Sequence, residues 1–119
     1  MMAPPAVNLT PDAHGLVYVA TSAIFRALIS TEFIGCEADF TGAPLVEGYQ
    51  PTGVRVESDG NLTWILGNLG HLPVVKLAAG GHYTALGWEI SVADDGGIEA
   101  TNTATGKAFA IHPDRAEAL

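Results

Sequence analysis

The sequence predicts an α+β fold, an N-terminal helix packed on a mostly antiparallel sheet of about five strands that ends in a C-terminal β-meander. Three observations lead there. Leu16, Ala20, Ala23, Ile24, Ala27 and Leu28 recur at the helical period. From residue 53 onward, short apolar runs alternate with clusters of Asp, Gly and Asn. The 119 residues suit a single core, because two cores in this length would each be marginal. Residues 1–119 are therefore read as one domain: an arm (1–9), a capped helix (10–30), a packed loop (31–52) and mainly strands (53–112).

Residues 1–9 carry two prolines and no periodicity, which predicts an extended arm. Thr10-Pro11-Asp12 then reads as a helix start, with Thr10 as the cap, Pro11 at the first helical position and Asp12 complementing the dipole. One helix over 11–30 follows. Gly15, Val17 and Val19 leave a second possibility, a strand "LVYVA" running into a shorter helix capped by Thr21 or Ser22. Residues 31–52 place Gly35, Gly42, Pro44, Gly48 and Pro51 among aromatic residues, a composition that predicts an irregular loop packed by Phe33, Phe40 and Tyr49.

"VRVES" and "LTWIL" flank Asp59-Gly60-Asn61 and predict a hairpin. Residues 73–86 stay open between a helix started by Pro73 and a Val-Val-Lys-Leu strand with a Gly-Gly turn. "WEISV", "IEATN" and "KAFAI", separated by "ADDGG" and "TATG", predict a three-stranded meander closed by Pro113. The tail "DRAEAL" is expected to be a helical stub or a frayed end. No internal repeat, low-complexity segment or linker is evident.

Composition narrows the function classes. Five Lys and Arg against thirteen Asp and Glu give a net charge of −8, and Arg26, Arg55, Lys76, Lys107 and Arg115 are scattered. Direct nucleic-acid binding and docking on an anionic membrane are not expected without a basic patch. The longest apolar stretch, Leu16 to Ile29, is too short to cross a bilayer and contains Arg26. The N-terminus has neither a basic nor an apolar signal region, so synthesis in the cytoplasm, or assembly into a particle made there, is the expectation. Cys36 stands alone between Glu37 and "EFIG", with no neighbouring cation to stabilise a thiolate, and reads as a buried, inert thiol.

The stretch "VADDGGIEATN" gathers Asp94, Asp95 and Glu99 around two glycines. A calcium loop spaces its ligands at alternate positions. Here the two Asp are adjacent and Glu99 falls inside the next strand, so the stretch is read as a turn. "TNTATGKAF" lacks the first glycine and the final Ser or Thr of a phosphate-cradling loop. Nucleophilic catalysis has no sequence support, and no catalytic residue, cofactor or metal is assigned.

The function expected from these features is a non-enzymatic interaction or assembly component that binds a protein partner or itself. Phe33, Phe40, Tyr49, Trp64 and Trp88 are its candidate contact residues, each weighed against plain core filling. The Ala, Gly and Asp bias resembles, by composition alone, small accessory or virion proteins of high-GC bacteria and their phages. Two alternatives remain open: an acidic inhibitor occupying a partner's basic groove, and a small ligand-binding domain or enzyme using convergent histidines. His71 and His82, which bracket 73–81, are the pocket candidates for the latter.

Overall fold

A computed structural model describes residues 6–67, 69–70 and 73–119. These residues form an all-β protein of two six-stranded sheets, with no helix among them. The expected α+β class is corrected accordingly. The strands are β1 Val7–Asn8, β2 Val17–Ser22, β3 Phe25–Ile29, β4 Phe33–Glu37, β5 Gly53–Glu57, β6 Leu62–Ile65, β7 Val75–Lys76, β8 His82–Ala85, β9 Trp88–Val92, β10 Ile98–Asn102, β11 Ala108–Ile111 and β12 Ala116–Ala118. One sheet is ordered β6-β5-β4-β3-β2-β7, the other β1-β8-β9-β10-β11-β12.

The helix expected over 11–30 is replaced by β2 and β3 for a local reason. Oδ1 of Asp12 accepts the His14 and Leu16 N–H groups at 2.8 and 3.1 Å, while the Asp12 N–H bonds the Leu16 carbonyl at 2.8 Å. The same Asp that suits a helix start here closes a loop, and Gly15 takes φ +75° within it. Beyond it, Val17 and Val19, then Phe25, Ala27 and Ile29, point into the core by strict alternation. A helix presenting Leu16, Ala23, Ile24 and Leu28 would have left Val19 and Phe25 outside; Ile24 is in fact exposed in the two-residue β2–β3 turn.

Two further expectations change and one open alternative is decided. The loop over 31–52 contains β4 before its irregular part begins at residue 38. Residues 73–86, open between helix and strand in the sequence, take the strand alternative and supply β7 and β8 around a turn. The tail is neither helical nor frayed over 116–118, because β12 pairs antiparallel with β11, Ile111 opposite Ala116. The hairpin at 59–61 and the meander β9-β10-β11 follow the sequence reading.

The two sheets share one core. Buried residues of both, including Phe25, Ile34, Val54, Trp88, Ile98 and Phe109, form a single hydrophobic cluster, so the architecture is a sandwich. Each half of the chain follows the same path. β2 to β6 make a five-stranded antiparallel meander, and β8 to β12 make another. The two-residue strand preceding each meander crosses to run parallel with the first strand of the other: β1 on β8, β7 on β2.

Val7-Asn8-Leu9 and Val75-Lys76-Leu77 are thus equivalent. Both leucines are buried, and their N–H groups bond the Thr84 and Ala20 carbonyls, each at 2.8 Å. The repeat escapes sequence reading because it resides in which face a residue turns inward, not in residue identity: Phe25 corresponds to Trp88, Cys36 to Ala100, Val54 to Phe109. The described part of the arm, residues 6–9, is therefore built into the protein's own second sheet.

Candidate interaction surface

The halves diverge most between their third and fourth meander strands. The second half connects β10 to β11 through 103–107, closed by Asn102, whose buried Oδ1 accepts the Ala104 and Thr105 N–H groups at 3.1 Å. The first half uses 38–52 at the equivalent place. The base of that insertion is fixed. Phe40 is buried at φ +46°, its N–H bonds the Pro113 carbonyl at 3.0 Å, and its carbonyl accepts from the Ala43 N–H and the Gln50 amide. Gly42 bonds the Asp114 carbonyl at 2.8 Å, tying the insertion to the opposite sheet.

The tip of the insertion is a miniature hairpin. Val46 and Tyr49 exchange both backbone hydrogen bonds, at 2.8 and 2.9 Å, around Glu47 and Gly48, which both have positive φ. A two-residue turn with both central residues at positive φ matches the twist of the strands that it joins. It presents Leu45 at 64% and Tyr49 at 68% exposure. Exposed aromatics on a rigid scaffold are the side chains that protein interfaces favour.

The insertion is joined to the sheet edge formed by β6. The Phe40 ring meets Trp64 edge to face, 5.2 Å between centroids, and Thr52 bonds the carbonyls of Ile65 and Gly67 at 3.3 and 2.6 Å. β6 turns Leu62 and Trp64 inward and Thr63 and Ile65 outward. Ile65 lies across Gly53, where a Cβ would sit only 2.7 Å from its Cγ1. Ile65 is 40% and Leu66 42% exposed. No Asp, Glu, Lys or Arg occurs from Gly60 to Val75.

The remaining aromatic candidates are not exposed at this surface. Trp88 is fully buried and Phe40 likewise, so both fill the core. Phe33 is half-buried on the outer face of its sheet beneath the Arg55 guanidinium, 3.8 Å from the ring centroid. Of the five, Phe40 and Tyr49 belong to the insertion and Trp64 to the edge, and Tyr49 is the exposed one. The signal available for that distinction was the Glu47-Gly48 turn between Val46 and Tyr49, which sequence reading passed over.

His71 lies outside the described residues. His82 is exposed on β8, with Nδ1 3.1 Å from the Ser91 hydroxyl. His112 follows β11, three strand spacings from His82, which is about 14 Å. The two do not meet. His112 instead approaches Asp95, Nδ1 to Oδ2 at 2.7 Å, while Asp95 Oδ1 accepts the Gly97 N–H at 2.8 Å. Partial burial pushes the Asp95 carboxyl up, but the Gly97 N–H, His112 and Arg115 outweigh it and hold the carboxyl below its ordinary value. Residues 93–97 form the tight turn that the sequence suggests, with Glu99 exposed on β10.

Two grooves of about 560 and 480 Å³ flank Arg26 and share it with Ala23. The Arg26 guanidinium is already engaged, by Glu37 at 2.5 Å and the Gly70 carbonyl at 2.7 Å, and Glu37 also accepts the Leu69 N–H at 2.5 Å. The pair braces the chain after β6 against the sheet. Cys36 is buried between β3 and β5, and burial pushes its thiol far up. Among the described residues no cluster of three potential metal ligands occurs, and no helix is long and apolar enough to cross a membrane. Comparisons with protein-family models, curated proteins and solved structures found no match.

Proposed function

We propose that the protein is a non-enzymatic interaction or assembly component whose contact surface is the 38–52 insertion together with the β6 edge. The observation that carries this is the exposed hairpin tip, Leu45 and Tyr49, held on a hydrogen-bonded two-residue turn and joined through Phe40 and Trp64 to an uncharged edge strand. Edge strands are normally protected by charge, proline or shortness. β6 has no charged residue or proline, and it is longer than the two-residue strands β1 and β7.

Replacing Tyr49 by a photo-crosslinking phenylalanine derivative in cells that make the protein tests this. A discrete adduct with another polypeptide from position 49, and none from Ala104 on the exposed β10–β11 turn, is expected. No adduct, or equal yields from the two positions, overturns the proposal.

A second reading, the acidic inhibitor, draws on the outer face of the other sheet. Glu89, Glu99 and Glu117 are exposed there on β9, β10 and β12. It requires a basic partner and binding that weakens steeply between low and moderate salt.

A further inference from the structure

The partner for the β6 edge is identified by its backbone and its charge. Glu57 bonds Asn61 across the β5–β6 hairpin, N–H to carbonyl at 2.8 Å, and the register sets Arg55 opposite Thr63 and Val54 opposite Trp64. Hydrogen-bonded and non-bonded pairs alternate along an antiparallel ladder. Thr63 therefore directs its N–H and carbonyl toward β5, and Leu62 and Trp64 direct theirs to the open side. β6 ends its sheet, so among the described residues that row faces no further strand.

We propose that β6 pairs antiparallel with β6 of a second copy of this chain, so that the two sheets continue into one across a two-fold axis at Trp64. This deepens the proposed function by naming the partner, and it rests on that reading. With Trp64 on the axis, Leu62 faces Leu66 of the copy and Thr63 faces Ile65. That register covers Ile65 and Leu66, the two large apolar residues this edge exposes. It keeps Leu62 and Trp64 on the core side in both copies, which a shift by one residue would reverse.

Charge selects a copy of this chain at this place. Two chains of net charge −8 repel over most approaches. The outer face of the second sheet carries Glu89, Glu99 and Glu117, and its edge strand β12 carries Glu117. The segment from Gly60 to Val75 has no Asp, Glu, Lys or Arg, so β6 can meet its own copy without placing carboxylates against each other.

Light scattering of the full-length chain over a concentration series measures the association. The expected mass rises to twice the 12.3 kDa of one chain. Thr63→Lys puts a cation on the exposed outer side of the paired edge and is expected to weaken the dimer at least about tenfold, as edge lysines do. Ala104→Lys adds the same charge on the β10–β11 turn and leaves the dimer unchanged. Because both substitutions lower the net negative charge, general repulsion cannot explain a loss confined to Thr63→Lys. Cooperative urea unfolding of each variant checks that the fold is retained.

A wild-type monomer at every concentration overturns self-pairing, as does a dimer insensitive to Thr63→Lys. If the Tyr49 probe then captures a different protein, only the identity of the partner fails. If it captures nothing, the interaction reading fails with it.

Discussion

The Trp88 indole Nε1 donates a 2.9 Å hydrogen bond to the Ser30 carbonyl, linking the first residue of β9 to the turn after β3 in the opposite sheet. Ser30 is itself a tight junction. Its N–H bonds the Phe33 carbonyl at 2.9 Å, and its hydroxyl oxygen accepts the Phe33 N–H at 3.1 Å. Trp88→Phe leaves the Ser30 carbonyl without the indole and opens space in the core. A loss of about 2–4 kcal/mol is expected. Urea denaturation measures it, and an unchanged midpoint would remove this bond from the account of how the sheets are held.

Leu9 and Leu77 close equivalent exchanges between the sheets and should contribute alike. Leu9→Ala and Leu77→Ala are each expected to cost about 2–4 kcal/mol. Removing residues 1–9 deletes β1 along with Leu9, so its expected effect is lost stability rather than release of a free arm. A truncated chain that unfolds at the wild-type urea concentration would contradict the pairing of Val7 with Tyr83 and Asn8 with Thr84.

Cys36 is buried within β4, and burial raises its thiol far above the ordinary range. The native protein is expected to resist an aromatic disulfide reagent at pH 8, and the unfolded chain to react with one equivalent. Rapid reaction of the folded protein would show that β4 opens.

Asp95 gives a sign-checked pH dependence. Its folded-state carboxyl titrates below the ordinary value of about 3.9, so its ionised form contributes stability that is fully present above that value. The contribution disappears as pH falls through the lower folded-state value. Asp95→Asn can retain an oxygen for the Gly97 N–H, while it removes the charge and puts an amide NH2 in place of the oxygen that faces His112. The wild type is therefore expected to be more stable than Asp95→Asn near pH 6, by a margin that shrinks below about pH 4. Asp12 is also held low, by the Leu16 N–H foremost, but it is common to both proteins and cancels in the comparison. A margin independent of pH would mean the carboxylate charge does nothing here.

The C-terminal meander was legible because its signals are local. "WEISV" and "IEATN" alternate strictly, and Asp95 and Asn102 both cap the turns that follow their strands, through the Gly97 N–H and the Ala104 and Thr105 N–H groups. The N-terminal third was misread because alanines at 20, 23 and 27 satisfy a helical period as readily as a pair of strands. Its alternation emerges once Val17, Val19, Phe25 and Ile29 face the core. The tail 116–118 becomes a strand only because β11 offers it an edge, since strand preference depends on the neighbour more than on the residue. The candidate surface was partly legible: Tyr49 and Trp64 were named, but the turn that exposes the one and the edge that half-buries the other were not.

By itself the sequence determined the tight turns, the acidic charge, the solitary thiol and the apolar residues available for a core. These depend on residue type and on neighbours a few positions away. The tertiary structure alone decided that 7–9 and 75–77 exchange sheets, that Trp88 lies at the centre while Tyr49 stands outside, and that β6 is left as an edge. Each is a pairing between residues far apart in the chain, selected by which closure buries the most apolar surface after the loop entropy is met, and no short stretch of sequence contains that comparison.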